Sequence, residues 1–537
     1  MKRFTKLSVI GLVLLLALTA CGAKGKKVSS SEDYGLTNVS FPLEEKVSLN
    51  ITTQSSTLSP ENPNDKLIFQ RLEEATNLHI DWTNYQTDFV EKRNLDIASG
   101  QYPDAFFNAA AGDYDLLTWA RDGIIIPVDD LVDQYMPNLK AIYDANPEYR
   151  SMVTAPDGKM YSFPWIEELG DDKESIHTVN DIAWINVDWL DALGLDMPET
   201  MEELHEVLLA FKNDDPNGNG IDDELPMSFI SGGGNEDFKM LFGAFGIGDN
   251  DDHLVVNEDR TLDFTADNEE YKEAIKFFAQ LFEEGLIDEE SFEQDWNAYI
   301  AKGSEQRYGV YFSWDRANVT GDNESYQMLP ALAGANGEKH ITRTNNIGFS
   351  RDRFVITSVN KNLELTAKWV DEMYAPLQSV QNNWGTYGDE TAANIFEFDA
   401  SKNMLKHLPL DGGAPGELRG KTEAAGPLAV LDEYYGTVTT MPDDAKWRLD
   451  NMHEAYLSSV NNTYTYPRVF LDLEEADRIA KIDADMQDYI YRKRTEWIVF
   501  GTIDAEWDDY LAELDRLGLQ EWMEIKTAGY ERYMEKN

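Results

Sequence analysis

The predicted fold class is α/β in two lobes, and three observations predict it. A chain of 537 residues is longer than one hydrophobic core ordinarily serves, so two or more lobes are expected. Hydrophobic residues at 42% and aromatic residues at 12% exclude disorder and supply material for large cores. From Lys46 onward, short apolar runs alternate with amphipathic helical patterns, the mark of an α/β architecture.

The first segment stands outside that fold. Lys2, Arg3 and Lys6 make a basic leader, and residues 7–20 form an apolar stretch too short to span a bilayer comfortably. It ends in Leu18-Thr19-Ala20-Cys21-Gly22, which resembles a bacterial lipobox. The expectation is a signal peptide over 1–20, a lipidated Cys21, and an anchor to the extracellular face of the cell membrane. Cys21 is the only cysteine, which excludes a disulfide framework, CxxC redox chemistry and thiolate metal sites. Residues 21–45 are Lys-, Ser- and Gly-rich without apolar periodicity and read as a flexible tether.

The elements then follow in order. Residues 47–52 read as a strand, 67–76 as an amphipathic helix carrying Leu67, Phe69, Leu72 and Ala75, and 78–82 as the next strand. Residues 94–100 end a helix, Pro103-Asp104 turns, and 105–108 returns as a strand. After an apolar run at 124–128 and a helix over about 130–143, Ala155-Pro156-Asp157-Gly158-Lys159 is a hairpin-type turn into 160–164. A second α/β unit begins near Ile182. Thr200 and Glu203 form an S/T-x-x-E capping box, with Leu204, Val207, Leu208 and Phe211 as the buried face of its helix. Near the end, Trp507, Tyr510, Leu511, Leu514 and Leu517 share a helical face before Gly518, a plausible C-cap. Trp189 and Trp507 lie on such helices and read as packing residues.

The formal charge is −53, and loss of the leader's three cations makes it more negative still. That excludes nucleic acid and electrostatic docking on anionic lipid, and disfavours polyanionic ligands such as uronates. One acidic stretch has a defined chemistry. Asp215-Pro216-Asn217-Gly218-Asn219-Gly220-Ile221-Asp222-Asp223-Glu224 places oxygen side chains at loop positions one, three, five and nine, with Gly at six. That spacing curls a loop around a hard cation: Asp215, Asn217, Asn219 and Asp223 point inward and Ile221 offers its carbonyl. Pro226 stands where the usual acidic ligand of position twelve would be, so Glu224 is the candidate for the bidentate role. Calcium fits better than magnesium because the oxygens are many and flexible, and better than zinc because His and Cys are absent. A structural calcium ion is expected.

Several motifs, in order, resemble a known family. They are Asn94 through Gly100 with Pro103-Asp104, then Ala155 through Tyr161 to Pro164, and Trp184-Ile185-Asn186-Val187-Asp188-Trp189-Leu190-Asp191-Ala192-Leu193-Gly194-Leu195 with Pro198-Glu199-Thr200. Gly309 through Asp315, Arg353 through Thr357, and the tail from Trp497 to Tyr533 continue the pattern. Together they resemble group-1 extracellular solute-binding proteins of ABC importers. The branch is the LplA-like one, which holds the alginate-binding and fructo-oligosaccharide-binding lipoproteins. There Asn217, Asn219, Asp223 and Glu224 stand where the family places calcium ligands. The resemblance implies a two-lobed periplasmic-binding-protein-like fold of type II, with the ligand cleft between the lobes and closure by hinge bending. It implies an N-terminal lobe over 46–165, a C-terminal lobe over 166–345, a return over 346–380, and the C-terminal lobe with closing helices over 381–537. Crossings are expected near 164–168, 343–353 and 377–388. The implied partners are an oligosaccharide and ABC permease subunits in the membrane, with the chain itself a monomer.

Sugar recognition needs flat apolar rings for C–H faces and polar groups for hydroxyls. Trp314 comes first, since it follows an apolar run at the position where the family carries a pocket tryptophan. Trp384 follows, because the turn residues around it point to exposure, and then Trp165 at an expected crossing. The polar candidates are Gln54, Asn108, Asp113, Asp315, Arg316, Arg343, Asn345 and Arg353. No catalytic activity is expected. The seven histidines make no HExxH, and there is no GxSxG, P-loop or dinucleotide fingerprint. Asp and Glu are too abundant for a nearby pair to be diagnostic of a hydrolase. The acidic balance favours a neutral oligosaccharide, a fructan or plant-polysaccharide fragment. A secreted glycan-active enzyme and a glycan-binding surface adhesin are the alternatives.

Overall fold

The computed structural model describes residues 30–536 apart from 171–173, 322, 411–412 and 461–463. The expected signal peptide, the lipidated Cys21 and the first part of the tether lie outside the described residues. Among the described residues, no helix is long and apolar enough to cross a membrane.

Two sheets organise the molecule. The first has six strands in the order Leu428–Val430, Phe163–Glu167, Phe349–Ile356, Ala105–Phe107, Val47–Gln54 and Leu78–Tyr85. Val47–Gln54 runs parallel to both its neighbours, whereas Phe349–Ile356 runs antiparallel between Ala105–Phe107 and Phe163–Glu167. The second has four strands, Tyr326–Met328, Ile182–Asn186, Tyr308–Ser313 and Leu225–Ser228. Every residue of Ile182–Asn186 and of Tyr308–Ser313 is buried, as near-continuous apolar runs require when helices cover both faces. Trp184 is fully buried there and stacks on Trp447 of helix Asp443–Tyr456, with ring centroids 5.7 Å apart.

The chain passes between the sheets three times. It leaves the first after Glu167, returns to it at Phe349, and leaves again after Val430. The last point corrects the expected organisation: residues 381–537 do not all belong to the second lobe, and the third crossing follows 430 and not 377–388. Leu428–Val430 pairs parallel with Trp165–Glu167, and helix Pro376–Trp384 packs against it. Three apolar residues are too short a run to stand out as a strand by pattern alone.

Local expectations are refined elsewhere. Thr200 Oγ accepts from the Glu203 amide at 3.1 Å, but the Glu203 carboxylate caps the Glu199 amide instead of that of Thr200, so only half of the expected box forms. Leu204, Val207, Leu208 and Phe211 are buried, and Trp189 and Trp507 pack in the interior. The full reciprocal box occurs at Asp472 and Glu475, opening the 28-residue helix Leu473–Phe500. That helix lies along both Asp113–Arg121 of the first lobe and Glu269–Glu283 of the second.

Candidate functional site

Two chambers meet at Arg353. The smaller, about 320 Å3, is walled by Gln54, Lys66, Trp82, Phe107, Asn108 and Glu423 of the first lobe. The larger, about 620 Å3, runs between the lobes past Asp113, Trp165, Asn345, Arg351 and Tyr466. Arg353 lines both because the strand Phe349–Ile356 is irregular: its pairing with Phe163–Glu167 shifts register between Ser350 and Phe354. In a regular strand Arg351, Asp352 and Arg353 would alternate faces; here all three border the cavity between the lobes.

At the head of the smaller chamber, Asn108 closes strand Ala105–Phe107 with a left-handed φ of 52°, a conformation Asn accepts more readily than most residues. Its amide donates to the Arg353 carbonyl at 2.6 Å, and its carbonyl accepts from Gln54 Nε2 at 3.1 Å. Three of the sequence-predicted residues are thus tied into one cluster. Asn108 Oδ1 and Arg353 Nε are both buried without a hydrogen-bond partner on this wall. Leaving such groups unpaired costs about 1–3 kcal/mol each. Both residues line the smaller chamber, and one acceptor with one donor matches a hydroxyl group, which supplies both complements.

Trp165 borders the larger chamber beside this polar cluster, whereas Trp314 is not among the residues lining either chamber. Trp165 of the first lobe and Trp314 of the second are half-buried, with His177 between them at centroid distances of 6.4 and 5.5 Å. The Arg353 guanidinium lies 5.7 Å from the Trp165 ring. Trp165 Nε1 donates to Asn383 Oδ1 at 3.2 Å, and Asn383 donates to the Glu167 carboxylate. That carboxylate also holds His177 Nε2 at 3.1 Å. One face of Trp314 is covered by Arg448, whose guanidinium sits 3.7 Å from the ring centroid and donates to the carbonyls of Trp314 and Val179. Burial, partly offset by Asp315, lowers Arg448 to about 9. On the chamber floor, burial lowers Lys66 to about 8, offset in part by Glu423, and raises Glu423 to about 7, offset in part by Lys66.

The remaining sequence-predicted residues take other roles. Trp384, expected to be exposed, is only 8% exposed: Arg419 covers its face at 4.7 Å and His407 meets it edge-on. The glycine-rich turn after it lets the hairpin Phe396–Asp399 and Met404–His407 fold back over the ring. Arg343 pairs with Glu174, and the Asn345 side-chain amide is fully engaged, its Oδ1 accepting from the Tyr466 amide and its Nδ2 donating to the Leu254 carbonyl and the Asp252 carboxylate. These two residues bind the crossing segments together. Arg316 donates to the Tyr326 carbonyl and lies over Trp447, while Asp315 caps the Ala317 amide at 2.7 Å. Both border a separate cavity of about 970 Å3. Asp113 stays on the interlobe wall, paired with buried Arg351 at 2.9 Å. His177, Glu167, Lys66, Glu423 and Arg448 escaped the sequence reading, as isolated charged residues carry no pattern. Asn383 had one, lying beside Trp384 in the turn-rich stretch 382–388.

The acidic loop sits away from these chambers, before strand Leu225–Ser228. Asp215, Gly218 and Gly220 take positive φ, which curls the chain. The Asp215 carboxylate accepts from the Asn219 and Gly220 amides, Asn217 Oδ1 from Asn219, and Asn219 Oδ1 from Ile221. Asp223 Oδ1 accepts from the side-chain amides of Asn217 and Asn219. Glu224 Oε1 is buried without a partner, while the Ile221 side chain is 61% exposed, turned outward as a carbonyl ligand's would be. Among the described residues, no three His, Cys, Asp or Glu side chains converge to hold a metal, so amide and main-chain oxygens would complete any coordination here.

Comparison with known proteins bears on all of this. The fructooligosaccharide ABC transporter substrate-binding protein FusA of Streptococcus pneumoniae serotype 4 (strain ATCC BAA-334 / TIGR4) is 64% identical over 532 residues, 99% of this chain and 98% of that one. A solved S. pneumoniae FusA in complex with kestose superposes with a TM-score of 0.90 at 66% identity, covering 91% of this chain and all of that one. An EF-hand mutant of FusA in complex with fructo-nystose matches with a TM-score of 0.90 at 65% identity, over the same shares. The alginate-binding protein AlgQ2, at 21% identity and a TM-score of 0.72 over 91% of this chain and 99% of that one, shares the fold. The two-lobed α/β expectation holds, and so does the family resemblance. The model for bacterial extracellular solute-binding proteins matches residues 60–378, and the chain belongs to that family.

Proposed function

We propose that this protein captures neutral fructose-containing oligosaccharides outside the cell and presents them to an ABC permease, releasing them chemically unchanged. This chain's family binds solutes outside the cell, and its 64%-identical relative is a fructooligosaccharide ABC transporter substrate-binding protein. The single observation that carries the finer reading is the unpaired Asn108 Oδ1 and Arg353 Nε on one chamber wall, flanked by half-buried Trp165. Rings and hydroxyl-matching groups suit a neutral sugar, and the relative's solved complex with kestose supports a fructan. The protein acts as a monomer anchored through a lipid on Cys21. Calorimetric titration of the mature protein against kestose, nystose and galacturonate oligomers, with product analysis, tests this. Saturable binding of kestose recovered intact is expected; uronate preference or cleaved sugar would overturn it.

The Asp215–Glu224 loop holds a calcium ion that pins a connection within the second lobe. The oxygens of Asp215, Asn217, Asn219, Asp223 and Glu224 and the Ile221 carbonyl are the ligands. The unpartnered, buried Glu224 Oε1 supports that set, as does the EF-hand named for the relative. Metal analysis after dialysis against calcium, with Asp215→Ala as control, tests it; no bound calcium would refute it.

A further inference from the structure

Residues 415–425 join the two lobes from one side to the other, and their bonds are unequal. Toward the first lobe the segment is held firmly. Lys66 Nζ donates to the carbonyls of Gly420 and Glu423 at 3.2 and 2.6 Å, and Ser59 Oγ donates to that of Gly420 at 2.7 Å. The Ala425 amide donates to Asn382 O at 2.9 Å, and the chain then enters strand Leu428–Val430 of the first sheet. Toward the second lobe there are two bonds. The Gly416 amide donates to Asn318 Oδ1 at 3.1 Å, and Arg419 pairs with Asp444 at 2.8 Å. Asn318 lies four residues beyond Trp314, and Asp444 sits in the helix whose Arg448 covers Trp314.

We propose that this segment is a latch, and that Arg419 and Asp444 are positioning residues that hold the lobes closed without touching the sugar. Four bonds hold the segment to the first lobe, three of them around Ser59 and buried Lys66, whereas the second-lobe set is one neutral hydrogen bond and one partly buried ion pair. On opening, the set with fewer bonds parts first and the segment stays with the first lobe. Glu423, Ala424 and Ala425 of the same segment wall the chamber that holds Asn108 and Arg353. A ligand in that chamber therefore buttresses the latch from beneath, which links occupancy to closure. The inference rests on the oligosaccharide reading only for the identity of that ligand.

The test uses the mature protein with Cys21→Ser and one spin label on each lobe, at Glu91→Cys and Glu206→Cys, both exposed positions. Interlobe separation and kestose release are measured for this parent, for Asp444→Asn, for Arg419→Gln and for the double variant. Asp444→Asn leaves Arg419 stacked on Trp384, so it isolates the ion pair from the packing. Each single variant is expected to shift the distances toward longer separations and to speed kestose release about two- to fivefold. The double variant is expected to do no more than either single one. Distances and release that coincide with the parent in every variant overturn the latch. A parent that neither binds kestose nor changes its distances with it counts against the oligosaccharide reading; the variants' distances without ligand then still decide the latch.

Discussion

Replacing Asn108 with glycine separates ligand recognition from stability, because the two should move in opposite directions. The substitution removes Oδ1 and keeps both main-chain bonds, the amide to Arg353 O and the carbonyl from Gln54. A neutral hydrogen bond to a bound hydroxyl contributes about 0.5–1.5 kcal/mol, so kestose affinity should fall about two- to twelvefold. In the ligand-free protein the same atom is a buried, unpaired acceptor that costs about 1–3 kcal/mol. Glycine also relieves the left-handed φ of 52°, a gain opposed by about 0.5–1 kcal/mol of added freedom in the unfolded chain. Asn108→Gly should therefore bind more weakly while resisting urea as well as the parent or better, by about 1 kcal/mol. Asn108→Ala should lose the same affinity but gain less stability, since it keeps the strained backbone. Calorimetry with kestose and urea unfolding without it give both numbers. Affinity within twofold of the parent, or a clear drop in ligand-free stability for the glycine variant, would refute the reasoning.

Three further outcomes are expected. Trp314→Ala should weaken kestose binding about tenfold and abolish most of the ligand-induced change in tryptophan fluorescence, since it removes a half-buried ring that packs on His177 beside Trp165; an unchanged spectral response would place the sugar elsewhere. Chelation of calcium should lower the melting temperature, by the equivalent of about 2.7 kcal/mol when the ion had been at a hundredfold its Kd. Kestose affinity should stay within twofold, because no loop residue lines the two chambers; a chelation-insensitive melting curve would refute the metal. Burial raises the Asp181 carboxyl from 3.8 to about 7, with Asp251 and Asp237 adding to the effect and Lys239 opposing it. The folded state then binds this proton more tightly than the unfolded one, so stability present below about pH 4 is lost as pH rises toward 7. Asp181→Asn keeps the group uncharged and its stability relative to the parent should rise from pH 5 to pH 8; parallel pH curves would disprove the assignment.

How much was legible in the chain depended on whether a residue's neighbours in sequence are also its neighbours in space. Gln54 and Asn108 follow apolar strands, and strand ends in a parallel sheet open on a cleft, so position alone singled them out. Trp314 follows a well-patterned strand and was singled out by the family resemblance, and Trp165, inside strand Phe163–Glu167, by its place at an expected crossing. Trp384 was misread because a hairpin about twenty residues downstream covers it, a contact that local turn chemistry cannot reveal. Arg343 and Asn345 do lie at a crossing, but their polar groups are consumed by chain segments up to 169 residues distant in sequence. Arg448 gave no signal: its helix reads as a polar surface helix, yet the residue is 1% exposed and its guanidinium covers Trp314.

The long helix Leu473–Phe500 has a mechanical meaning. Near its start, Ala476, Ile479 and Asp483 face the same cavity as Asp113 and Tyr114 of the first lobe. Near its end, Tyr491 and Arg494 are bonded to Ser231 and Asp237 of the second. One rigid rod of about 42 Å thus carries a bearing surface for each lobe, at a fixed angular phase. Burial is deep at the second-lobe end, where Arg494 meets fully enclosed Asp237, so the rod is anchored firmly to that lobe. Inserting a single residue between Asp483 and Tyr491 would rotate one bearing by about 100° relative to the other. The two lobes would then lose their shared alignment along the helix.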